Sequence, residues 1–337
     1  MKKVAFITLG CKVNAYETES MSESFIASGY EVVSSAETAD IYIINTCSVT
    51  NIADRKSRQM IHRARKKAPG ALIVAVGCYV QADPEAAKAD PAVDLIIGTD
   101  KKSDIVRIVE QHIDYVTDIA GIKEYDDMHI KGAGERTRAF VKIQDGCNQF
   151  CSYCLIPYVR GRVRSRSEES VLEEVKALAA GGIKEVVLTG IHLSSYGAHV
   201  PSEWGEPLIR LIRKVNEIEG IKRIRLGSLE PRIITREFAA AISEIDKLCP
   251  HFHLSLQSGC DETLARMNRH YTSAEYAEKL QILREVFINP ALTTDVIVGF
   301  PGETDEEFAQ TVDFLKKINL YEMHIFQYSL RARTAAE

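Results

Sequence analysis

The chain is predicted to be an α/β protein in two parts: an N-terminal doubly wound parallel sheet, then a partial (β/α)6 barrel. Three observations carry this. Short apolar, β-branched runs alternate with longer helical stretches from end to end. A polar segment, Lys-Gly-Ala-Gly-Glu-Arg at 131–136, interrupts the alternation. Beyond it lie six β/α repeats, too few for a closed eight-stranded barrel.

In the first part, Val4–Leu9, Ile41–Asn45 and Leu72–Val76 read as buried parallel strands, because they are nearly continuous apolar runs. Helices are expected at Tyr16–Ser28 and Asp54–Lys67, and a further strand and helix at Leu95–Ile97 and Lys101–Gln111. In the second part, strands are expected at Ala139–Gln144, Glu185–Thr189, Arg223–Leu226, His253–Leu256, Thr293–Val298 and Glu322–Gln327. Helices between them are expected at Ser170–Ala180, Pro207–Ile218, Thr235–Ile245, Ser273–Val286 and Asp305–Ile318. The implied organisation is 1–120, a linker at 121–137, and 138–337.

Charge is ordinary: 42 Lys and Arg against 47 Asp and Glu, a formal net charge of −5. That argues against wholesale coating of nucleic acid, not against a local basic patch. No apolar run approaches the ~20 residues of a membrane span, so no membrane partner is expected. The N-terminal apolar stretch is short and runs into Cys11 without a cleavage site, which reads as a first strand rather than a signal peptide. Eight cysteines without an export signal point to the reducing cytoplasm, and to metal or catalysis rather than disulfides.

Cys147, Cys151 and Cys154 form a CxxxCxxC run on one short loop. Three thiolates so spaced can hold three irons of a 4Fe–4S cube and leave the fourth open. A structural zinc site calls for four ligands, and no fourth Cys or His follows nearby. Cys11, Cys47 and Cys78 are far apart in sequence, yet each directly follows a predicted strand. Carboxyl ends of parallel strands share one edge, where ligands bind, so these three form a second candidate cluster site. Buried structural cysteines are the plainer alternative. Cys249 and Cys260 have no partners at ligand spacing and read as packing residues. None of the nine histidines shows metal-ligand pairing.

With these residues in view, the chain resembles the radical S-adenosylmethionine (SAM) methylthiotransferases over essentially its whole length. The likeness rests on Gly-Cys-Lys-Val-Asn-Ala-Tyr-Glu-Thr-Glu (10–19), on the spaced cysteines, on Gly-Cys-Asn-Gln-Phe-Cys-Ser-Tyr-Cys-Leu-Ile-Pro-Tyr-Val-Arg-Gly (146–161) and on Thr-Asp-Val-Ile-Val-Gly-Phe-Pro-Gly-Glu-Thr (294–304). Within the family, Thr8–Asn14 with Tyr16–Glu19 is similar to the branch acting on threonylcarbamoyl-adenosine at tRNA position 37. The resemblance implies a radical SAM barrel, two 4Fe–4S clusters and SAM. The cluster on Cys147, Cys151 and Cys154 would bind and reductively cleave SAM. The cluster on Cys11, Cys47 and Cys78 would serve sulfur insertion, giving a methylthio group on carbon 2 of the adenine. An aromatic C–H is a poor acid, so cofactors must carry that chemistry.

By the same resemblance, SAM should lie at the carboxyl ends of the barrel strands. Tyr153 is expected beside its adenine, or else as a packing aromatic. Thr189 and Gly190 match the family's glycine segment near the methionine part, and Gly190 permits close backbone approach. Ser228 and Glu230 are expected to hold polar ends of SAM. Gln257, Ser258, Gly259 and Gly299 follow later strands, as ligand loops or as turns alone.

Two basic runs remain. Arg55–Lys67 carries seven Lys and Arg and no acid, and Arg160, Arg162, Arg164 and Arg166 follow the cysteine loop. Solvated faces are one reading; phosphate contacts to the tRNA anticodon arm are the other. A flavodoxin- or ferredoxin-type reductant is expected as a further partner; the oligomeric state is unknown. The family continues into a small all-β RNA-binding domain (TRAM), which the chain is expected to lack; Gln327 and Arg333 also depart from the family's Pro and Gly. Rival functions are methylthiolation of a ribosomal protein, or a non-catalytic Fe–S or RNA-binding fragment.

Overall fold

The computed structural model describes residues 1–132, 137–198 and 200–337, so the expected linker lies partly outside the described residues, at 133–136. Chain contacts divide the protein into two units, Met1–Glu135 with Leu155–Arg162, and Arg136–Cys154 with Val163–Glu337.

The first unit is built on five parallel strands: β1 (Lys3–Thr8), β2 (Glu31–Val33), β3 (Ile41–Thr46), β4 (Leu72–Gly77) and β5 (Leu95–Ile97). Their order is β2-β1-β3-β4-β5. Every residue of β3 is buried, as both faces of a doubly wound sheet are covered. Helices α1 (Lys12–Ala27), α2 (Asn51–Lys67), α3 (Cys78–Ala82), α4 (Pro84–Ala89) and α5 (Ile105–Glu110) follow the strands, and a short α6 (Ile156–Val159) returns to this unit from later in the chain. One core cluster joins Tyr42, Ile44, Ile73 and Ile96 to Ile61 of α2 and Val80 of α3. Thr50 caps α2 by accepting from the Ala53 N–H, and Arg65, Lys66 and Lys67 sit in its last turn, where cations suit the helix dipole.

Among its described residues the second unit holds six parallel strands in two sheets of three: β6 (Arg138–Lys142), β9 (Glu185–Thr189) and β10 (Arg223–Leu226), then β11 (His251–His253), β12 (Ala291–Val298) and β13 (Glu322–Gln327). Single bridges, Ile224 to Leu248 and Leu229 to Leu254, link the sheets, giving the open barrel. A small antiparallel pair, β7 (Gln144–Asp145) with β8 (Arg164–Ser165), flanks the cysteine loop. Helices α7 (Glu168–Ala180), α8 (Glu206–Glu217), α9 (Arg236–Ser243), α10 (Asp261–Arg266), α11 (Ser273–Val286) and α12 (Asp305–Ile318) complete the unit. Capping boxes start α11 (Thr272 with Glu275) and α12 (Thr304 with Glu307). No helix among the described residues is long and apolar enough to cross a membrane.

One expectation fails here. Of the run Arg160, Arg162, Arg164 and Arg166, only Arg162 is exposed. Arg160 is fully buried against Glu17, Arg164 lies 3.8 Å from Asp145, and Arg166 pairs with Glu174 at 2.6 Å. Alternate positions in this stretch face inward, and each inward guanidinium meets a buried carboxylate. These three are structural cations, not phosphate contacts. Removing Arg166 takes the guanidinium away from buried Glu174, which costs about 3–5 kcal/mol, whereas Glu17 and Asp145 keep Lys102 and Lys142. Denaturant unfolding should therefore show Arg166→Gln destabilised by about that amount, and Arg162→Gln within about 0.5 kcal/mol of the parent.

Candidate metal centres

In the first unit, Cys11 is the N-cap of α1 after β1, Cys47 directly follows β3, and Cys78 opens α3 after β4. These strands are neighbours, so the three cysteines come off one carboxyl edge. Between β1 and β3 the strand order reverses, the place where open sheets bind ligands. Backbone geometry holds the loops close. Gly10 has φ +92, and a Cβ there would lie 2.7 Å from the Cβ of Cys47. Asn14 clamps two loops by donating to the carbonyls of Leu9 (2.7 Å) and Thr46 (2.9 Å). Cys47 and Cys78 are buried and Cys11 is exposed. Burial, with the neighbouring Cys78 adding to it, pushes the Cys47 thiol up to about 12.

In the second unit, the loop bearing Cys147, Cys151 and Cys154 leaves β7 through Gly146 (φ 70) and turns again at Phe150 (φ 49). The Cys154 N–H donates to the Cys151 carbonyl at 2.9 Å. The end of α10 braces the loop. Ser152 donates to the Met267 carbonyl (3.0 Å) through its N–H and to the Arg266 carbonyl (2.7 Å) through its hydroxyl. Arg269 Nη1 lies 3.1 Å from Cys151 Sγ. The sequence reading missed Arg269, which stands 118 residues away; it brings a positive charge to a loop of would-be thiolates. Burial raises the Cys147 thiol to about 11, opposed by the Gln149 backbone N–H, 3.5 Å from its sulfur.

All six cysteines are free of disulfides. Tetrahedral zinc with 2.3 Å bonds to sulfur needs sulfurs about 3.8 Å apart. Among the described residues neither trio closes even to 4.8 Å; the group that does is His253, Asp295 and His324. Three thiols in each set are the number that holds three irons of a cube and leaves the fourth open. The histidine group corrects the expectation that no histidines pair: His253 Nε2 is 3.1 Å, and His324 Nδ1 3.4 Å, from Asp295. Neighbouring strands β11, β12 and β13 bring together what sequence spacing hides.

The expected SAM contacts divide. Half-buried Tyr153 meets Phe300 edge-on, with ring centroids 6.4 Å apart. Gly299, next to Phe300, has φ +71 and open space where a Cβ would be. A Cβ on Gly190 would come 2.8 Å from Gln144 Oε1, so Gln144 alone explains that glycine; the Thr189 carbonyl accepts from the Ile143 N–H. Ser228 is exposed. Buried Glu230 already accepts from Arg232 through both its N–H and its Nε (2.8 and 2.7 Å). Ser258 bonds Thr311 of α12 at 3.0 Å, and Gly259 packs on Phe314, so helix packing explains both. Gln257 takes φ 79.

His192 was not anticipated. It follows Gly190 past the end of β9, and its two buried ring nitrogens find no hydrogen-bond partner among the described residues. Its ring lies 5.0 Å from that of Trp204. Burial, helped by Arg269 and Arg232, lowers its imidazole to about 3. Beside it a cavity of ≈ 390 Å³ is lined by Asn148 and Gln149 of the cysteine loop, with Ser195, Trp204, Arg232 and His270. A polar residue just past a barrel strand was the signal available in the sequence.

Residues 141–315 match the radical SAM superfamily, and residues 3–98 match the uncharacterized protein family UPF0004. The threonylcarbamoyladenosine tRNA methylthiotransferase MtaB of Bacillus subtilis (strain 168) is 42% identical, across 100% of this chain and 75% of that protein. Its counterpart in Aquifex aeolicus (strain VF5) is 44% identical, across 99% and 82%. The chain belongs to the radical SAM methylthiotransferase family. Another relative, the tRNA-2-methylthio-N(6)-dimethylallyladenosine synthase of Caldicellulosiruptor saccharolyticus, is 38% identical across 99% of this chain and 73% of that one. Among solved structures, the radical SAM methyltransferase TsrM from Kitasatospora setae, with cobalamin and a [4Fe-4S] cluster bound, matches with a TM-score of 0.70. It is 14% identical, across 99% of this chain and 77% of that one. That likeness is one of fold.

Two measurements follow. Gly10→Ala strains the backbone by about 1–3 kcal/mol and displaces Cys47; iron analysis should show the first unit's site depleted and the second unit's intact. An unfolded His192 takes a proton near 6.5, whereas the folded one resists to about 3. Stability from this residue is thus present above pH 6.5 and is lost as pH falls, by about 1.4 kcal/mol per pH unit. Unfolding curves between pH 6.5 and 4 should be shallower in pH for His192→Gln than for the parent.

Proposed function

We propose that this methylthiotransferase acts on tRNA, placing a methylthio group on carbon 2 of threonylcarbamoyl-adenosine at position 37 in a SAM-dependent radical reaction. The observation that carries the reading is the pair of three-cysteine sets, one on the carboxyl edge of each unit's strands or on a loop beside it. In this reading Cys147, Cys151 and Cys154 hold three irons of the SAM-binding cube, and Cys11, Cys47 and Cys78 hold the second. Bound there, the clusters and SAM supply one-electron chemistry that side chains lack.

The chain's own residues bind, orient and exclude water. Tyr153 and Phe300 form an aromatic wall at the cysteine loop. Arg269 balances charge at Cys151. His192, neutral near pH 7, packs its ring beside Trp204, which lines the cavity. Gln257, Thr189, Gly190 and Gly299 frame the strand ends. Ser228 and Glu230 are weaker candidates, Glu230 because Arg232 already engages it, and Ser258 and Gly259 serve the packing of α12.

For the anticodon arm, α2 is the favoured contact. Arg55, Lys56, Arg58, Arg63, Lys66 and Lys67 are exposed on it, so six cations face solvent where the second run offers one. A flavodoxin- or ferredoxin-type reductant and a cytoplasmic setting complete the reading.

Anaerobic reconstitution should give about eight irons per chain, four per cube. Replacing Cys147, Cys151 and Cys154 by Ala should halve that and abolish 5′-deoxyadenosine formation; a full iron load would overturn the assignment. Mass spectrometry should find the methylthio product on tRNA nucleosides and none on peptides of ribosomal protein. Changing Arg55, Arg58, Arg63 and Lys66 to Ser should weaken tRNA binding and flatten its salt dependence by about 0.9 per lost phosphate contact. An unchanged slope would leave α2 as a solvated face.

A further inference from the structure

We infer that Arg160, with Lys102 beside it, sets the reduction potential of the cluster on Cys11, Cys47 and Cys78: the structure builds a buried cationic base that reaches all three cysteine loops. This rests on the reading that those cysteines hold a cluster.

Arg160 and Lys102 are fully buried, and Glu17 between them nearly so. Arg160 bonds Glu17 at 2.5 Å and Asn14 Oδ1 at 2.6 Å. Lys102 Nζ bonds Glu17 at 2.5 Å and Asn45 Oδ1 at 3.2 Å. Each contact leads to a ligand loop. Asn14 holds the carbonyls of Leu9 and Thr46, just ahead of Cys11 and Cys47, and its Oδ1 is 4.0 Å from Cys11 Sγ. Lys102 Nζ lies 3.5 Å from where a Cβ would stand on Gly77, the neighbour of Cys78.

The groups named sum to one positive charge: a guanidinium and an ammonium against one carboxylate. Burying such a set is expensive, and packed apolar side chains would stabilise the fold as well or better. Three thiolates around a dicationic cube carry one negative charge, which matches. Reduction adds a second negative charge to the cluster. Fixed cations favour the reduced form, so removing one lowers the potential. The same set recurs in the second unit, where Lys142 (2.7 Å) and Arg164 (3.8 Å) meet buried Asp145, two residues before Cys147. A Lys, an Arg and one carboxylate thus stand by each cysteine set.

The test is a redox titration followed by electron paramagnetic resonance. It uses the full chain with Cys147, Cys151 and Cys154 changed to Ala, which isolates the cluster in question. Arg160→Gln should retain about four irons per chain and titrate at a more negative potential, and Arg160→Lys should return most of the shift. Lys102→Met against Lys102→Arg repeats the comparison without touching the Asn14 clamp, should Arg160→Gln fail to fold. Iron retained with an unshifted potential in these neutral variants overturns the inference alone. No iron in the triple-Ala parent overturns the cluster reading, and this inference with it.

Discussion

Parallel strands lie ~4.8 Å apart and deliver their carboxyl ends to a common edge, and this constraint governs both units. In the first, order β2-β1-β3-β4-β5 puts Cys11, Cys47 and Cys78 after three consecutive neighbours, astride the reversal between β1 and β3. Residues 36 and 31 positions apart in sequence thereby become one donor set. In the second, the edge is supplied by β6 and β9 to β13, and the cysteine loop, His192, Gln257 and Gly299 all follow strand ends. The first set is gathered from three strand ends, whereas the second comes ready-spaced on one loop after β7.

The buried charges make sense beside these edges. Arg160, Lys102, Lys142, Arg164 and Arg166 are at most 6% exposed, and each meets a buried carboxylate. A buried ion pair is weak evidence for stability, because desolvation consumes most of the Coulombic gain. Directional contacts give it a different use. Asp145 accepts the Gly146 N–H at 2.8 Å and so fixes the entry to the cysteine loop. Glu17, through Arg160 and Asn14, is tied to the loops of Cys11 and Cys47. Cations near sulfur also suit sites that must carry negative charge when filled.

Much of this was legible in the sequence because periodicity and punctuation agreed. For β9, β10, β13, α11 and α12 the expected and observed limits coincide; capping Thr residues mark both helices, β9 is a short β-branched run, and β10 alternates Arg with Ile and Leu. β11 was expected at His253–Leu256 and runs His251–His253. The chain stays extended, but Leu254 and Gln257 make only single bridges, and Gln257 turns to positive φ. Edge strand β2 was missed, having three residues and little burial. Cys147, Cys151 and Cys154 were visible from their spacing, and Cys11, Cys47 and Cys78 because strand ends can be read from local pattern. Arg269, His192 and the His253–Asp295–His324 group were not, because each depends on contacts made far along the chain. The arginines after the cysteine loop misled for the same reason: a charge run says nothing of which side chains turn inward.

The central claim is that the two three-cysteine sets hold two cubes with different work. Mössbauer spectroscopy of the 57Fe-reconstituted protein, with and without SAM, addresses it most directly. The account predicts that SAM perturbs iron of one cluster only, and that replacing Cys147, Cys151 and Cys154 by Ala removes the perturbation while the other cluster's spectrum persists. A perturbation that survives that replacement, or a single cluster in the parent protein, would contradict it.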